Sequence, residues 1–335
     1  MKKNSAYSTT NSQTQKLITK DSFTLISSPL QGFTEFRFRN AFHTYFGGID
    51  TFYAPYIRFN NKPEISNKYQ RDLELNNNHV PELIPQVMTN DADEFLIAVH
   101  YIRSLGYKEL NWNLGCPYPM VTKKGMGSGL ICDPGKIDHI LERVHAETDV
   151  IVSMKMRMGY LEPTEILKTF PILEKYPIKN IAIHARIGKQ LYKGGVDLES
   201  FQKCLDTSKH QLYYNGDITS VASFREMKAL FPKINHWMIG RGLIADPFLP
   251  SMIRANTEVY PENRWEIFRE FHDTLYKEYD EFLQGPTPIK MKMQGFWEYW
   301  SQTFPDPQKA FKAIKKASNP RAYQQAVNDN LKSVS

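Results

Sequence analysis

From about residue 22 onward, short apolar runs alternate with longer stretches whose apolar positions recur at helical spacing, the pattern of repeated βα units on a parallel sheet. Eight runs read as strands: 23–28, 49–54, a short one ending near Gln86 and Val87, 109–113, 150–156, 180–184, 211–214 and 236–239. The stretches between them have recognisable helix starts. Asn90 to Asp93 precede FLIAVHYIRSLGY, Asp133-Pro134 precede GKIDHILERVHAE, and Pro163 precedes TEILKTFPILEKY. Eight strands with intervening helices in roughly 230 residues have the length and rhythm of a (β/α)8 barrel. A doubly wound sheet is the rival, but no GxGxxG follows the first strand.

After about residue 250 the strands stop. Helical patterns remain: NRWEIFREFHDTLYKEYDEFL and, beyond the break GPTP at 285–288, IKMKMQGFWEYWSQTF and PQKAFKAIKKASNPRAYQQAV. The fold class expected is therefore α/β, a (β/α)8 TIM barrel over 21–250 followed by a smaller all-helical C-terminal domain over 251–335. Residues 1–20, rich in Ser, Thr, Asn and Gln, read as a polar tail.

Charge adds a partner to this picture. Lys and Arg number 42 against 36 Asp and Glu, a net of +6. Between 287 and 321 stand Lys290, Lys292, Lys309, Lys312, Lys315, Lys316 and Arg321, opposed by Glu298 and Asp306, so most of the excess is gathered there. Basic side chains near Phe296, Trp297, Tyr299 and Trp300 suit a phosphate-rich partner; a solvated helix face over an aromatic core fits the same letters. No run approaches the ~20 apolar residues of a membrane helix, and the first residues lack the apolar centre of a signal peptide. Cys116, Cys132 and Cys204 form no CxxC pair, which argues against a disulfide framework or a structural zinc site. The expectation is a monomer in the reducing cytoplasm, with no membrane partner and no metal.

In such barrels the site lies where the strands end. Polar and glycine residues crowd that rim: Ser28-Pro29-Leu30-Gln31-Gly32, Pro85-Gln86, Asn113-Leu114-Gly115-Cys116-Pro117, Lys155-Met156-Arg157, His184-Ala185-Arg186, Asn215-Gly216-Asp217 and Gly240-Arg241-Gly242. Glycines after the last two strands let backbone N–H groups approach a phosphate, and Arg241 adds a charged fork for the same oxygens. Lys155 ends an otherwise apolar strand and needs an anionic partner there, such as a reduced flavin ring, unless it snorkels to water. A single histidine such as His184 reads better as a satisfied core histidine, and the Gln86 amide, though suited to a heterocycle's edge, as a solvated strand end.

Together these residues resemble the tRNA-dihydrouridine synthases, flavin-dependent barrel enzymes that reduce uracil bases in tRNA. The resemblance rests on SPLQGFTEFRFR at 28–39, NLGCP at 113–117 followed by VTKKGMGSGLICDP, MKMRMG at 154–159, HAR at 184–186 with LYKGGVD at 191–197, NGD at 215–217, and IGRGLIADPFL at 239–249. It covers the barrel, and the helical remainder is similar in kind to the family's tRNA-binding domain.

The resemblance implies FMN as cofactor, NADPH as reductant and tRNA as substrate. It makes Cys116 the general acid that protonates C5 of the uracil while hydride arrives at C6. It assigns the flavin to Pro29, Leu30, Gln86, Lys155, His184, Asn215, Gly216, Asp217, Gly240 and Arg241. Asn113, Arg157, Arg186 and Tyr192 are assigned to the base or RNA, and KKGMGSG to a loop closing over the flipped nucleotide. Two departures stand out: Ser27-Ser28-Pro29-Leu30, where the family usually has alanine and methionine beside the proline, and GSGL, where small alanines are commoner. A flavin oxidoreductase of free pyrimidines is the nearest rival, and the basic helical appendage speaks against it; an RNA-binding barrel without catalysis is the other.

Overall fold

The computed structural model describes residues 23–59 and 63–334; the polar tail expected over 1–20 lies outside them. Nine parallel strands form one sheet: β1 (Thr24–Ser27), β2 (Thr51–Tyr53), β3 (Leu83–Ile84), β4 (Gln86–Val87), β5 (Glu109–Leu114), β6 (Ile151–Gly159), β7 (Ile181–Ile187), β8 (Leu212–Asn215) and β9 (His236–Ile239). Their order is β3-β2-β1-β9-β8-β7-β6-β5-β4.

The two ends of that order, β3 and β4, are separated in the chain by Pro85 alone. Proline has no N–H for a ladder. Leu83 and Ile84 therefore pair back to β2, Gln86 and Val87 pair forward to β5, and the Pro85 carbonyl still accepts from Asn111 N at 2.9 Å. The ring thus closes through one strand that changes partner midway, and the expected eightfold barrel is what forms.

Alternation along the strands sorts the side chains into two layers. Leu110, Trp112 and Leu114 of β5, and Val152, Met154, Met156 and Met158 of β6, join the large outer core under the helices. The other parity faces the barrel axis. Low in the barrel it is apolar, with Ile26, Tyr53, Ala182, Tyr213 and Met238 packed together. Toward the strand ends it turns polar: Asn111, Asn113, Lys155 and Asn215 are buried and bonded to one another's neighbours.

The helical remainder comprises Arg264–Phe282, Pro286–Trp300, Pro307–Lys316 and Pro320–Lys332. Proline occupies a first-turn position in the last three, where a missing N–H costs nothing, and Asp306 and Asn319 cap the final two through Lys309 N and Ala322 N. This unit does not stand apart. The helix Phe36–Tyr45 that follows β1 packs on it: Phe38 stacks on Phe296 at 5.6 Å, Phe33 meets Phe296 edge-on at 5.4 Å, and the Tyr45 hydroxyl bonds Thr274.

The aromatic residues near the lysines are therefore core. Phe296, Trp297 and Trp300 are fully buried, which corrects the reading in which they interleave with cations on a binding face. Lys309, Lys312, Lys315, Lys316 and Arg321 are exposed, on helices whose buried positions include Ala310, Ile314 and Tyr323. Among the described residues no helix is long and apolar enough to cross a membrane.

Candidate active site

The turn after β5 is built by a side chain. Asn113 folds its Oδ1 over the turn, where it accepts from Gly115 N and Cys116 N, both at 3.0 Å. Its Nδ2 donates to Gln86 Oε1 at 2.8 Å, Gln86 Nε2 donates to Asn111 Oδ1 at 2.7 Å, and Asn111 Nδ2 donates to Ser153 Oγ at 2.9 Å. This chain of amides fixes the height at which Cys116 leaves the strand. It also leaves Asn113 one N–H for a ligand.

The glycine-rich segment holds the same cysteine from behind. The Cys116 carbonyl accepts from Ser128 N at 3.0 Å and from Ser128 Oγ at 3.1 Å. Gly127 has φ +56°, and a Cβ there would lie 2.5 Å from that carbonyl. The expectation of a closing lid is thereby corrected: Gly127 and Ser128 are buried as a support, and only Lys123 and Lys124 face solvent.

Cys116 is 7% exposed and lies on the wall of a cavity at the strand ends. Burial pushes its thiol pKa up against the weaker pull of the Tyr118 amide, the Tyr56 hydroxyl and the cations Arg157 and Arg58, so the group is protonated at neutral pH.

The cavity is cationic. Lys155, Arg157 and Arg241 line it, and Asp217 is the one carboxylate among the lining residues. Asp217 is already shared: Arg186 pairs with both its oxygens and Arg241 approaches at 3.1 Å. Among the described residues Lys155 Nζ has the Asn215 amide oxygen, at 3.0 Å, as its hydrogen-bond partner, and burial, with Arg157 near, pushes its pKa down to about 7. Burial likewise lowers Arg157 to about 10, while its Nε and Nη1 donate to the carbonyls of Gly115 and Ile187. Tyr192 sits between the Arg157 and Arg241 guanidinium groups, 5.3 and 4.4 Å from its ring centre. His184 is held neutral by burial and then by Arg157, Lys155, Arg186 and Arg241. Its Nε2 faces Arg186 Nη1 at 3.2 Å; an arginine always donates, so Nε2 is the acceptor and the proton is assigned to Nδ1.

At the far wall the helix Arg241–Ala245 begins directly after β9. Gly242 lets it lie against the loop after β8, since a Cβ there would meet Ile218 O at 2.2 Å. A buried lysine without a carboxylate, a cation excess and a glycine-lined backbone rim are the donor set an anionic, phosphate-bearing ring cofactor requires.

Of the residues singled out from sequence, Cys116, Asn113, Pro29, Leu30, Lys155, Arg157, His184, Tyr192, Asn215, Gly216, Asp217, Gly240 and Arg241 all line this cavity. Gln86 and Arg186 do not. Gln86 is fully buried behind Asn113, and Arg186 is spent on Asp217 and the Gly194 carbonyl. Tyr56, Tyr118, Phe33 and Tyr299 line it without having been singled out for it. Tyr56 and Tyr118 follow β2 and Cys116 directly and so fall under the strand-end rule, whereas Tyr299 arrives from the helical unit, which no strand pattern reveals. Among the described residues no cluster of three or more His, Cys, Asp or Glu is placed to hold a metal.

A parallel barrel with a buried thiol and a cationic pocket at its carboxyl rim has the frame of an enzyme site for an anionic ligand. Comparison with known proteins makes this specific. The dihydrouridine synthase family model matches residues 25–333, and the chain belongs to that family. It is 28% identical over 238 residues to a probable tRNA-dihydrouridine synthase of Rickettsia bellii (strain RML369-C), covering 69% of this chain and 71% of that protein. It is 25% identical over 314 residues to tRNA-dihydrouridine synthase B of Yersinia pestis, covering 92% and 96%. Morphinone reductase shares the fold, with a TM-score of 0.51 at 9% identity over 71% of this chain and 87% of that one.

Proposed function

We propose that the protein reduces the C5=C6 bond of uridines in tRNA to 5,6-dihydrouridine, using FMN reduced by NADPH, with Cys116 donating the proton to C5. The observation that carries this reading is the Cys116 thiol, kept protonated by burial and fixed through Asn113 and Ser128 on the wall of a cationic cavity.

Lys155, with Asn215 beside it, is the residue to face the electron-rich edge of the isoalloxazine, and Pro29, Leu30 and neutral His184 are the ring's other neighbours. Gly216, Gly240 and Arg241 are the phosphate grip, with Asp217 orienting Arg241. Gln86 acts through Asn113. Bound FMN supplies the hydride for C6.

Cys116 has one task, to deliver a proton to the carbon beside the reduced one, and a thiol that stays protonated at neutral pH suits it. The free N–H of Asn113, Tyr192 and Arg157 are the groups left to meet the base; Arg186 acts through Asp217. A uridine inside folded tRNA must leave its stack to enter the cavity, and the exposed lysines of the helical unit are suited to hold the phosphates while it does.

The test is to incubate the purified protein with FMN, NADPH and a tRNA transcript free of dihydrouridine, and to quantify the product by mass spectrometry. Wild type should form dihydrouridine, while Cys116→Ala should bind flavin and tRNA normally and lose the product. No product from wild type, or full turnover by Cys116→Ala, would defeat the reading.

A further inference from the structure

The Cys116 thiol has one side-chain hydrogen-bonding partner among the described residues. Tyr56, in the segment after β2, places its hydroxyl 3.9 Å from Cys116 Sγ, and both groups line the cavity. Other groups bear on the sulfur differently. The Tyr118 amide reaches it from the backbone; Arg58, beside Tyr56, and Arg157 and Lys155 of β6 act by charge; Tyr192 faces it from the loop after β7. Arg157 has its Nε and Nη1 committed to carbonyls.

We propose that the Tyr56 hydroxyl is the hydrogen-bond donor that holds the thiolate formed when Cys116 gives up its proton. This rests on the role given to Cys116 above. In that step the Sγ–H bond breaks and a C5–H bond forms, using the electron pair left on the base by hydride arrival at C6. The S–H pair stays on sulfur, and the thiolate takes a proton from water before the next turnover. A negative sulfur formed in a site that disfavours its charge needs a donor aimed at it. Tyr56 is suited to be one, because burial beside the cysteine raises its own pKa far above neutrality and its proton is always present. A neutral thiol bonds weakly at 3.9 Å, whereas a thiolate draws the hydroxyl in, so the contact strengthens as the charge develops.

Tyr56→Phe removes one oxygen and tests the idea. The donor lowers the pKa of Cys116, so its loss should raise that pKa by about one unit, in keeping with a hydrogen bond to a charged acceptor. Two readings follow in a Cys132→Ser background, since Cys132 is exposed and would otherwise react. The midpoint for iodoacetamide alkylation of Cys116 should move to higher pH. The alkaline limb of kcat should move the same way, with kcat at neutral pH falling about tenfold. Flavin content should be unchanged, and Tyr56→His, which restores a donor, should recover part of the loss. If Cys116→Ala is inactive and Tyr56→Phe shifts neither midpoint nor limb, the inference about Tyr56 falls alone. If Cys116→Ala retains turnover, the acid role falls first.

Discussion

Lys155 is the residue whose environment most constrains what binds. Unfolded, its amine has the ordinary pKa of 10.5; folded, burial brings it to about 7. Between those values the unfolded chain binds the extra proton, so this lysine's cost to stability is full below pH 7 and fades as pH rises toward 10.5. Lys155→Met should therefore raise the melting temperature of the ligand-free protein at pH 6 and do so progressively less toward pH 10. Calorimetry across that range checks it, and a gap that failed to narrow would mean the amine is not buried as described. An anionic ligand reverses the balance by holding the ammonium: FMN affinity should weaken as pH rises above 7 and drop sharply in Lys155→Met, measured by flavin fluorescence. The sequence exposed this residue because a cation interrupts an apolar run, although the strand does not end there as expected but continues to Gly159. It exposed neither the consumption of Gln86 by Asn113 nor the meeting of Tyr56 with a cysteine 60 residues away, because both depend on how neighbouring strand ends are set in height.

At the scale of elements, the eight strands were readable from alternation and apolar runs, and the split of the third was not. Leu83 to Val87 looks like one short run; only the partners on each side show that Pro85 lets it serve both. The segment KKGMGSG misled in the other direction, since glycines that suggest a moving loop also permit close packing. Gly127 is the decisive position, with a left-handed backbone and no room for a Cβ against Cys116 O. Gly127→Ala should cost on the order of 1–3 kcal/mol of stability and slow turnover by displacing the thiol, whereas Lys124→Ala, at an exposed position, should do neither to a similar extent. Thermal denaturation beside the dihydrouridine assay separates the two.

Across the whole molecule, composition showed where the positive charge gathers but not how far the aromatics lie beneath it. The exposed lysines stand on Pro307–Lys316, whereas the tryptophans stand on Pro286–Trp300, whose apolar side joins the barrel core through Phe38, Phe296 and Trp300. Two outcomes follow. Charge reversal at Lys312 and Lys315 should weaken tRNA binding, most at low salt, without changing NADPH oxidation by the bound flavin. Trp300→Ala should cost about 3–5 kcal/mol and lower a single melting transition rather than split it, because barrel and helices share the core the indole fills.

Tyr299 stands on the same helix, Pro286–Trp300, and its ring forms part of the cavity wall beside Phe33 at 5.4 Å. Anyone exchanging the helical portion for that of a relative would thus remove a piece of the cavity wall if the cut were made where the strands end. A chimera should keep its native chain through Trp300 and join the foreign segment at the turn Ser301–Thr303.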